Sequence, residues 1–196
     1  MASYSANQYV DNILTTSFPQ ELKALRLEPA PLPDFTVKFG YQGIYNNVGE
    51  AHFRDGNATG FNRIRRQSDC QGPRLVRGQY SINCTLTLFP FVTNYNAYVR
   101  NGSNIYIVRN MGHIGETLID VKILGHSVGQ LKSFEVVRLG NINPTYHRLP
   151  QPLLVYTKVI SDEYKVRVST NLFNMLRDRV KYALERSLAN KPMPRA

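Results

Sequence analysis

A long run of strand pattern followed by a single helix pattern is the feature that most constrains the fold of this chain. Alternating apolar and polar residues continue, strand after strand, from Phe35 to Leu139. The segment from Leu153 to Leu188 then carries apolar residues at helical spacing. Because one long helix must bury its apolar stripe against a large antiparallel sheet, this order predicts an α+β domain in two layers.

The strand from Gln79 to Leu88 has the strictest alternation. Every second residue from Tyr80 onward is apolar, and the residues between them are Ser, Asn and Thr. This pattern is typical of an antiparallel sheet with one buried and one solvated face. Two hairpins are predicted after it, one turning at Asn101-Gly102 and one at residues 125–129.

The final helix pattern is unusual in its period. Six apolar residues recur at every fourth position from Val168 to Leu188. Since an α-helix has about 3.6 residues per turn, a four-residue step winds slowly around the helix axis. A winding stripe suits a twisted sheet that curves around the helix, so we expect a long curved antiparallel sheet wrapped around it.

The two ends of the chain carry weaker signals. Two short helical patterns precede Pro29, with a break expected near Ser17 because Pro19 is poorly tolerated deep inside a helix. Residues 188–196, which contain two prolines, are predicted to form a loose tail. No Gly/Ser linker or change of composition divides the chain, so we expect a single domain over residues 1–196.

The chain is basic, with 24 Lys and Arg against 14 Asp and Glu and a net charge of +10. This charge suits anionic membranes, glycans or nucleic acid, and equally a solvated basic surface. Arginines can grip phosphate or sulfate in a bidentate manner. The candidate anion contacts are Arg63, Arg65, Arg66, Arg74 and Arg77, with Arg63, Arg65 and Arg66 expected on one strand.

The two cysteines, Cys70 and Cys84, leave two interpretations open. They are reduced thiols in a cytosolic protein or one disulfide in a secreted protein. Their expected positions on neighbouring strands make a disulfide geometrically reasonable. Three glycosylation sequons begin at Asn57, Asn83 and Asn101 and weakly favour secretion.

The sequence carries no catalytic motif. None of the four histidines pairs at metal-ligand spacing, and neither a nucleophile elbow nor a phosphate-binding loop is present. Few carboxylates are available for acid–base chemistry. We therefore expect a protein that is not an enzyme and that needs neither a metal nor another cofactor.

The segment LKSFEVVRLGNI, residues 131–142, resembles the late strand of the group 7 mite allergens. A weaker similarity lies between Gly43 and Phe61. Together with the order of the strands and the helix, the resemblance covers about residues 5–188. These arthropod allergens belong to a broad lipid-binding class with the takeout and juvenile-hormone-binding proteins and the bactericidal/permeability-increasing proteins. The resemblance implies a curved sheet around the closing helix, with an apolar ligand space between them. The Cys70/Cys84 pair departs from the allergens, and the N-terminal cysteine pair typical of takeout-like proteins is missing.

The first functional hypothesis is a secreted, extracellular binder or carrier of a lipid or other hydrophobic small molecule. Its groove would lie between the sheet and the C-terminal helix, although ordinary core packing produces the same pattern. The predicted lining residues are Tyr80, Ile82, Leu86, Val121, Ile123, Leu172, Met175, Leu176 and Val180.

Two further hypotheses stay open. In the second, the arginines recognise a polyanion such as a glycosaminoglycan or lipopolysaccharide, with affinity that falls steeply with salt. An anionic membrane or glycan surface is a possible partner in either case, whereas no specific nucleic acid is expected. In the third, the apolar face serves self-association.

Overall fold

Two helical segments and two antiparallel sheets make up the part of the chain that the computed structural model describes, residues 2–41 and 47–195. The N-terminal segment is α1 (Ala2–Asn12), a π-helical turn (Ile13–Ser17) and α2 (Phe18–Ala24). The C-terminal segment is a 3-10 helix (Gln151–Tyr156), α3 (Thr157–Met175), a second π-helical turn (Leu176–Val180) and α4 (Lys181–Leu188). The predicted α+β class, with a short N-terminal helical segment and a long C-terminal helix, is confirmed.

The strands are β1 (Ala30–Pro31), β2 (Phe35–Tyr41), β3 (Asn47–Thr59), β4 (Arg65–Arg66), β5 (Gln71–Val76), β6 (Gln79–Leu88), β7 (Phe91–Asn101), β8 (Asn104–Ile114), β9 (Thr117–Gly125), β10 (Gln130–Arg138) and β11 (Ile142–His147). Sheet A has the order β1-β3-β7-β8-β11, and β2 also pairs with β3. Sheet B has the order β10-β9-β6-β4, and β5 also pairs with β6. The two predicted hairpins are present as β7–β8 and β9–β10.

The inner faces of both sheets and one face of each helical segment share a continuous apolar core. On β9, every odd-numbered residue from Thr117 to Gly125 is buried, as the alternation predicts. Helix α3 packs against β2 and β11, α4 against α2 and β10, and α1 against β5. On α3, Tyr164 is fully buried whereas Val166 is 61% exposed, so the sheets cover one face of this helix.

The two π-helical turns explain how the apolar stripes stay on the buried side. In the C-terminal helix, the wide turn at Leu176–Val180 holds more residues than an α-helical turn and offsets the drift of the four-residue step. In the N-terminal segment, the helix widens at Ile13–Ser17, just before Pro19, where the sequence predicts a break. The Thr15 hydroxyl donates to the carbonyl of Asp11 at 2.7 Å within this turn.

The expected disulfide is present. Cys70 and Cys84 are bonded, with their Cα atoms 4.5 Å apart, and both residues are buried. The bond ties the segment before β5 to β6. Among the described residues no helix is both long and apolar enough to cross a bilayer.

The C-terminal tail is docked where the sequence predicts a loose end. The amide of Met193 donates to the carbonyl of Ser127 at 2.9 Å, and the amide of Gly129 donates to the carbonyl of Lys191 at 3.3 Å. The Met193 side chain is buried in the core. Backbone pairing and this one apolar side chain hold the tail to the β9–β10 turn.

Candidate ligand site

A row of mixed side-chain size crosses the inner face of sheet A near the start of α3. Ala97 on β7 lies directly opposite Phe53 on β3 and Val108 on β8. In the next row, Val99 lies opposite Ala51 on β3. Because alanine side chains are short, the helix above these rows does not reach the sheet everywhere, and space is left between them.

That space is an apolar cavity of about 10 Å³ between sheet A and the first turns of α3. Its lining is Phe53, Ala97, Val99, Val108, Tyr146, Leu149, Thr157 and Ile160. The Tyr146 hydroxyl is 3.0 Å from Ser161 Oγ, and the Thr157 hydroxyl donates to the Leu153 carbonyl at 3.4 Å. The polar atoms of the lining are thus already paired, and the cavity offers apolar surface, which favours an apolar occupant over water.

An aromatic cluster between sheet A and α3 adjoins the cavity through Phe53, the member that lines it. The rings of Phe35 and Phe53 stack at 4.7 Å, and the ring of Tyr164 lies 5.3 Å from Phe53. The Tyr164 hydroxyl is 2.8 Å from Thr93 Oγ1. A Cβ atom at Gly112 would lie 2.7 Å from this hydroxyl, so glycine is required there for α3 to dock by Tyr164.

Burial changes the ionisation of the tyrosines in this region. Desolvation raises the pKa of Tyr95 to about 12, while its hydroxyl donates to the Pro33 carbonyl at 3.1 Å. Desolvation also raises the pKa of Tyr164 and of Tyr146 above the ordinary tyrosine value. All three therefore remain neutral at physiological pH and add no charge beside the cavity.

The 3-10 helix from Gln151 to Tyr156 lies in the chain between two lining residues, Leu149 and Thr157, and none of its own residues lines the cavity. Within this helix Leu153 is fully buried, whereas Leu154 and Val155 are 55% and 79% exposed. Hydrogen-bond geometry is poorer in a 3-10 helix than in an α-helix. The 3-10 helix is therefore less firmly bonded along its backbone than α3, which follows it.

The nine predicted groove residues lie elsewhere in the core. Ile82, Leu86, Val121 and Ile123 are buried on sheet B, and Tyr80 packs partly buried against the core. The helix residues Leu172, Met175, Leu176 and Val180 are buried as well. None of the nine lines the apolar cavity, and their role as a ligand surface stays a prediction.

The structure assigns local partners to two of the five arginines. Arg66 makes a bidentate ion pair with Asp11 of α1, with both N–O distances at 2.7 Å. Arg63 donates to the Pro90 carbonyl at 3.1 Å. Arg63 lies on a short 3-10 turn rather than on the predicted strand, because Gly60, with φ of +109°, ends β3 before it.

The arginines also lie at two ends of β6. Arg66 on β4 is opposite Leu86, whereas Arg74 on β5 is opposite Ser81. Five residues of strand separate these positions, which is roughly 17 Å. The structure therefore places Arg74 and Arg77 on the β5–β6 hairpin, apart from Arg63, Arg65 and Arg66.

The sequon asparagines lie in different settings. Asn83 is exposed on β6, and Asn101 ends β7 at the hairpin turn. The Asn57 side chain on β3 accepts a hydrogen bond from Asn94 at 3.3 Å. Glycosylation at the three positions stays a prediction.

A larger open cleft of about 830 Å³ lies between α1 and the C-terminal tail. Its walls are polar and apolar in about equal measure and include Asn7, Asp11, Arg66 and Tyr9. Desolvation raises the pKa of Tyr9 to about 12. Within residues 2–41 and 47–195, no group of three or more His, Cys, Asp and Glu side chains is placed to hold a metal ion.

The cavity residues were not predicted as a site. Alternation places Ala97, Val99 and Val108 on inward faces, but it does not show which residues share a row. The presence of Ala97 and Ala51 among larger inward residues is the available signal, and it becomes informative only once the register of β3, β7 and β8 is known.

Comparisons with known proteins give no family for this chain. No family model and no curated protein matches it. The crystal structure of Takeout 1 from Epiphyas postvittana is similar over 93% of this chain and 92% of that protein, with 12% identity and a TM-score of 0.49. The crystal structure of lipopolysaccharide binding protein is similar over 89% of this chain and 40% of that protein, with 15% identity and a TM-score of 0.45. With TM-scores below 0.5, neither similarity establishes a shared fold or ligand, and the resemblance to the group 7 mite allergens stays a prediction.

Proposed function

We propose that this protein is a non-enzymatic binder of a lipid or other hydrophobic small molecule. The supporting observation is the apolar cavity between sheet A and α3, whose lining polar atoms are already hydrogen-bonded to the protein. Burial of an apolar ligand there would contribute about 25 cal/mol for each Å² of apolar surface removed from water. The apolar body of the ligand would be recognised by shape and hydrophobicity.

Ligand entry requires the cavity to expand. Its volume of about 10 Å³ is far below the roughly 300–1,000 Å³ of ordinary ligand pockets. Movement of Leu149 and of the 3-10 helix that follows it would enlarge the cavity while leaving the strand ladder of sheet A and the helical hydrogen bonds of α3 intact. The exposed Arg148 precedes Leu149 in the chain and would face a polar or anionic head group at the opening.

The Cys70–Cys84 disulfide supports a secreted, extracellular protein. Disulfides persist in oxidising compartments and are rare where glutathione keeps thiols reduced. The three sequons agree with this location, and glycan attachment at Asn83 and Asn101 would occur on the surface.

Titration with the fluorescent fatty acid cis-parinaric acid tests the proposal. Val108→Phe places a larger ring into the cavity, and we expect it to weaken binding at least roughly tenfold. Ile107→Phe is the matched control, because Ile107 is the neighbouring residue on β8 and is 68% exposed. Folding of both variants is checked by circular dichroism and thermal unfolding. Equal binding by the two folded variants, or no saturable binding by the unmodified protein, would contradict the proposal.

A further inference from the structure

Three segments meet at the end of sheet B where β6 begins, namely residues 71–80, 124–132 and 189–195. Tyr80 of the first lies opposite Gly125 of the second, and the side chains of Gln79 and His126 are 3.4 Å apart. The third segment joins them through the hydrogen bond from Met193 to Ser127.

These three segments carry no acidic residues, neither Asp nor Glu. The cationic side chains on them are Arg74, Arg77, Lys132, Lys191 and Arg195. No ion pair joins any of the five to a carboxylate within the described residues, unlike Arg66 and Arg186, which pair with Asp11 and Glu21. The three segments therefore carry five cations that form no ion pair among the described residues.

Apolar side chains are exposed among these cations. Leu75 is 65% exposed and Val76 is 49% exposed on β5, and Val128 is 38% exposed on the neighbouring turn. Successive strand residues point to opposite faces, so the exposure of both Leu75 and Val76 means that the end of the β5–β6 hairpin projects from the sheet. We call residues Arg74–Gly78 the basic hairpin end.

We propose that the basic hairpin end docks on the surface of an anionic lipid bilayer. The cations would be attracted to anionic head groups, and Leu75 and Val76 would enter the interfacial region. A sulfated glycan would use the cations but leave these apolar side chains in water, so a lipid surface accounts for more of the observations. The docking surface is on sheet B and does not depend on the cavity of sheet A.

Vesicle sedimentation tests the electrostatic part. The protein is mixed with phosphatidylcholine vesicles, with and without phosphatidylserine, at low and at elevated salt. We expect binding to the vesicles that contain phosphatidylserine, a large decrease with salt, and a several-fold loss in Arg74→Gln/Arg77→Gln. The charge-matched control is Arg109→Gln/Arg167→Gln, which removes two exposed arginines from sheet A and α3 and should bind almost normally. An equal loss in both double variants would overturn the proposal, because it would indicate a response to net charge alone.

The apolar part needs a second pair of variants. Leu75→Ser/Val76→Ser should lower the vesicle partition coefficient at least roughly tenfold, while thermal unfolding stays unchanged because both side chains are exposed. Ile105→Ser/Ile107→Ser is the control, since these residues are 69% and 68% exposed on sheet A. Retention on a heparin column without vesicle binding would overturn the proposal in favour of a glycan partner, as would unchanged vesicle binding by Leu75→Ser/Val76→Ser.

Discussion

Sheet A and sheet B present side chains of different size to the helices that cover them. Three inner rows of sheet B combine larger side chains. These rows are Leu86–Ile119–Val136, Cys84–Val121–Phe134 and Ile82–Ile123–Leu131. The rows of sheet A under the start of α3 contain Ala97 and Ala51, and a cavity lies above them. The two sheets share the same alternation of apolar residues but differ in the volume of the side chains within a row. The cavity lies over the rows that contain alanine.

The two sheets are also joined to their neighbouring segments by different interactions. Sheet A is joined to α3 through the aromatic cluster around Tyr164, which has a single buried hydroxyl contact to Thr93. Sheet B is stabilised by the disulfide of Cys70 and Cys84 and by the ion pair of Arg66 with Asp11. The contact of α3 with sheet A is thus aromatic, and the 3-10 helix before α3 makes a separate aromatic contact, with the Tyr156 ring 4.8 Å from the Phe39 ring on β2.

Tyr164→Ala is expected to have the largest effect on stability. The substitution removes a fully buried ring from the aromatic cluster and leaves a large void beside the existing cavity, at a cost of about 4 kcal/mol. Urea unfolding followed by circular dichroism gives the free energy of unfolding. Tyr182→Ala is the control, since Tyr182 is 49% exposed on α4 and its loss should cost much less. Similar costs for both would show that the cluster does not anchor α3.

Loss of the disulfide is expected to have the second largest effect on the free energy of unfolding. Cys70→Ala/Cys84→Ala should lower the free energy of unfolding by about 3 kcal/mol, as for the closure of a loop of this length. The folded variant should bind cis-parinaric acid as before, because the disulfide lies on sheet B and the cavity on sheet A. Impaired binding by a variant that is still folded would indicate that the two sheets are coupled.

Alkaline pH should destabilise the protein through its buried tyrosines. The pKa of Tyr95 is about 12 in the folded state and about 10 in an unfolded chain. The unfolded state therefore loses its proton first, and the stabilisation present below pH 10 is lost as pH rises toward 12. Urea unfolding across this range should show a smaller loss for Tyr95→Phe than for Tyr182→Phe, whose side chain is half exposed. Parallel pH profiles for the two variants would exclude Tyr95 as a cause.

Filling the cavity should have the smallest effect on the free energy of unfolding, and this effect should be stabilising rather than destabilising. Ala97→Val adds methyl groups toward existing space, so we expect a change between zero and about 1 kcal/mol of added stability. Ala58→Val on β3 is the control, because Ala58 is equally buried and does not line the cavity. Overpacking there should cost about 1–3 kcal/mol. Thermal unfolding of the pair provides the measurement, and an equal loss of stability would show that the void is not available to side chains.

The outline of the fold was accessible from the sequence because it depends on periodicity. The alternation along Gln79–Leu88 and the apolar stripe of Val168–Leu188 both identify faces that are buried, although Ser81 and Thr87, predicted on the solvated face of the strand, are buried as well. The expected pairing of Cys70 with Cys84 followed from their positions on neighbouring strands, once a secreted protein was assumed. The π-helical turn at Leu176–Val180 was not predicted, although the four-residue step that it accommodates was visible.

The candidate site was not accessible in the same way. A cavity depends on which side chains share a row, and register across β3, β7 and β8 depends on long-range pairing rather than on local pattern. The docked tail was missed for a similar reason, since Met193 gains its burial from a turn more than sixty residues earlier in the chain. Arg63 lies outside the predicted strand because the backbone at Gly60 is left-handed, a conformation that the sequence allows but does not require.

Methyl-labelled NMR during titration with lauric acid tests the central claim most directly, because it reports on both sheets at once. We expect saturable shifts for the methyl groups of Val99, Val108 and Ile160, which line the cavity of sheet A. The methyl groups of Ile82, Val121 and Ile123 on sheet B should stay nearly constant. Saturable shifts confined to the sheet B residues would place the ligand in the originally predicted groove, and the absence of any saturable shift would contradict a hydrophobic ligand site in this protein.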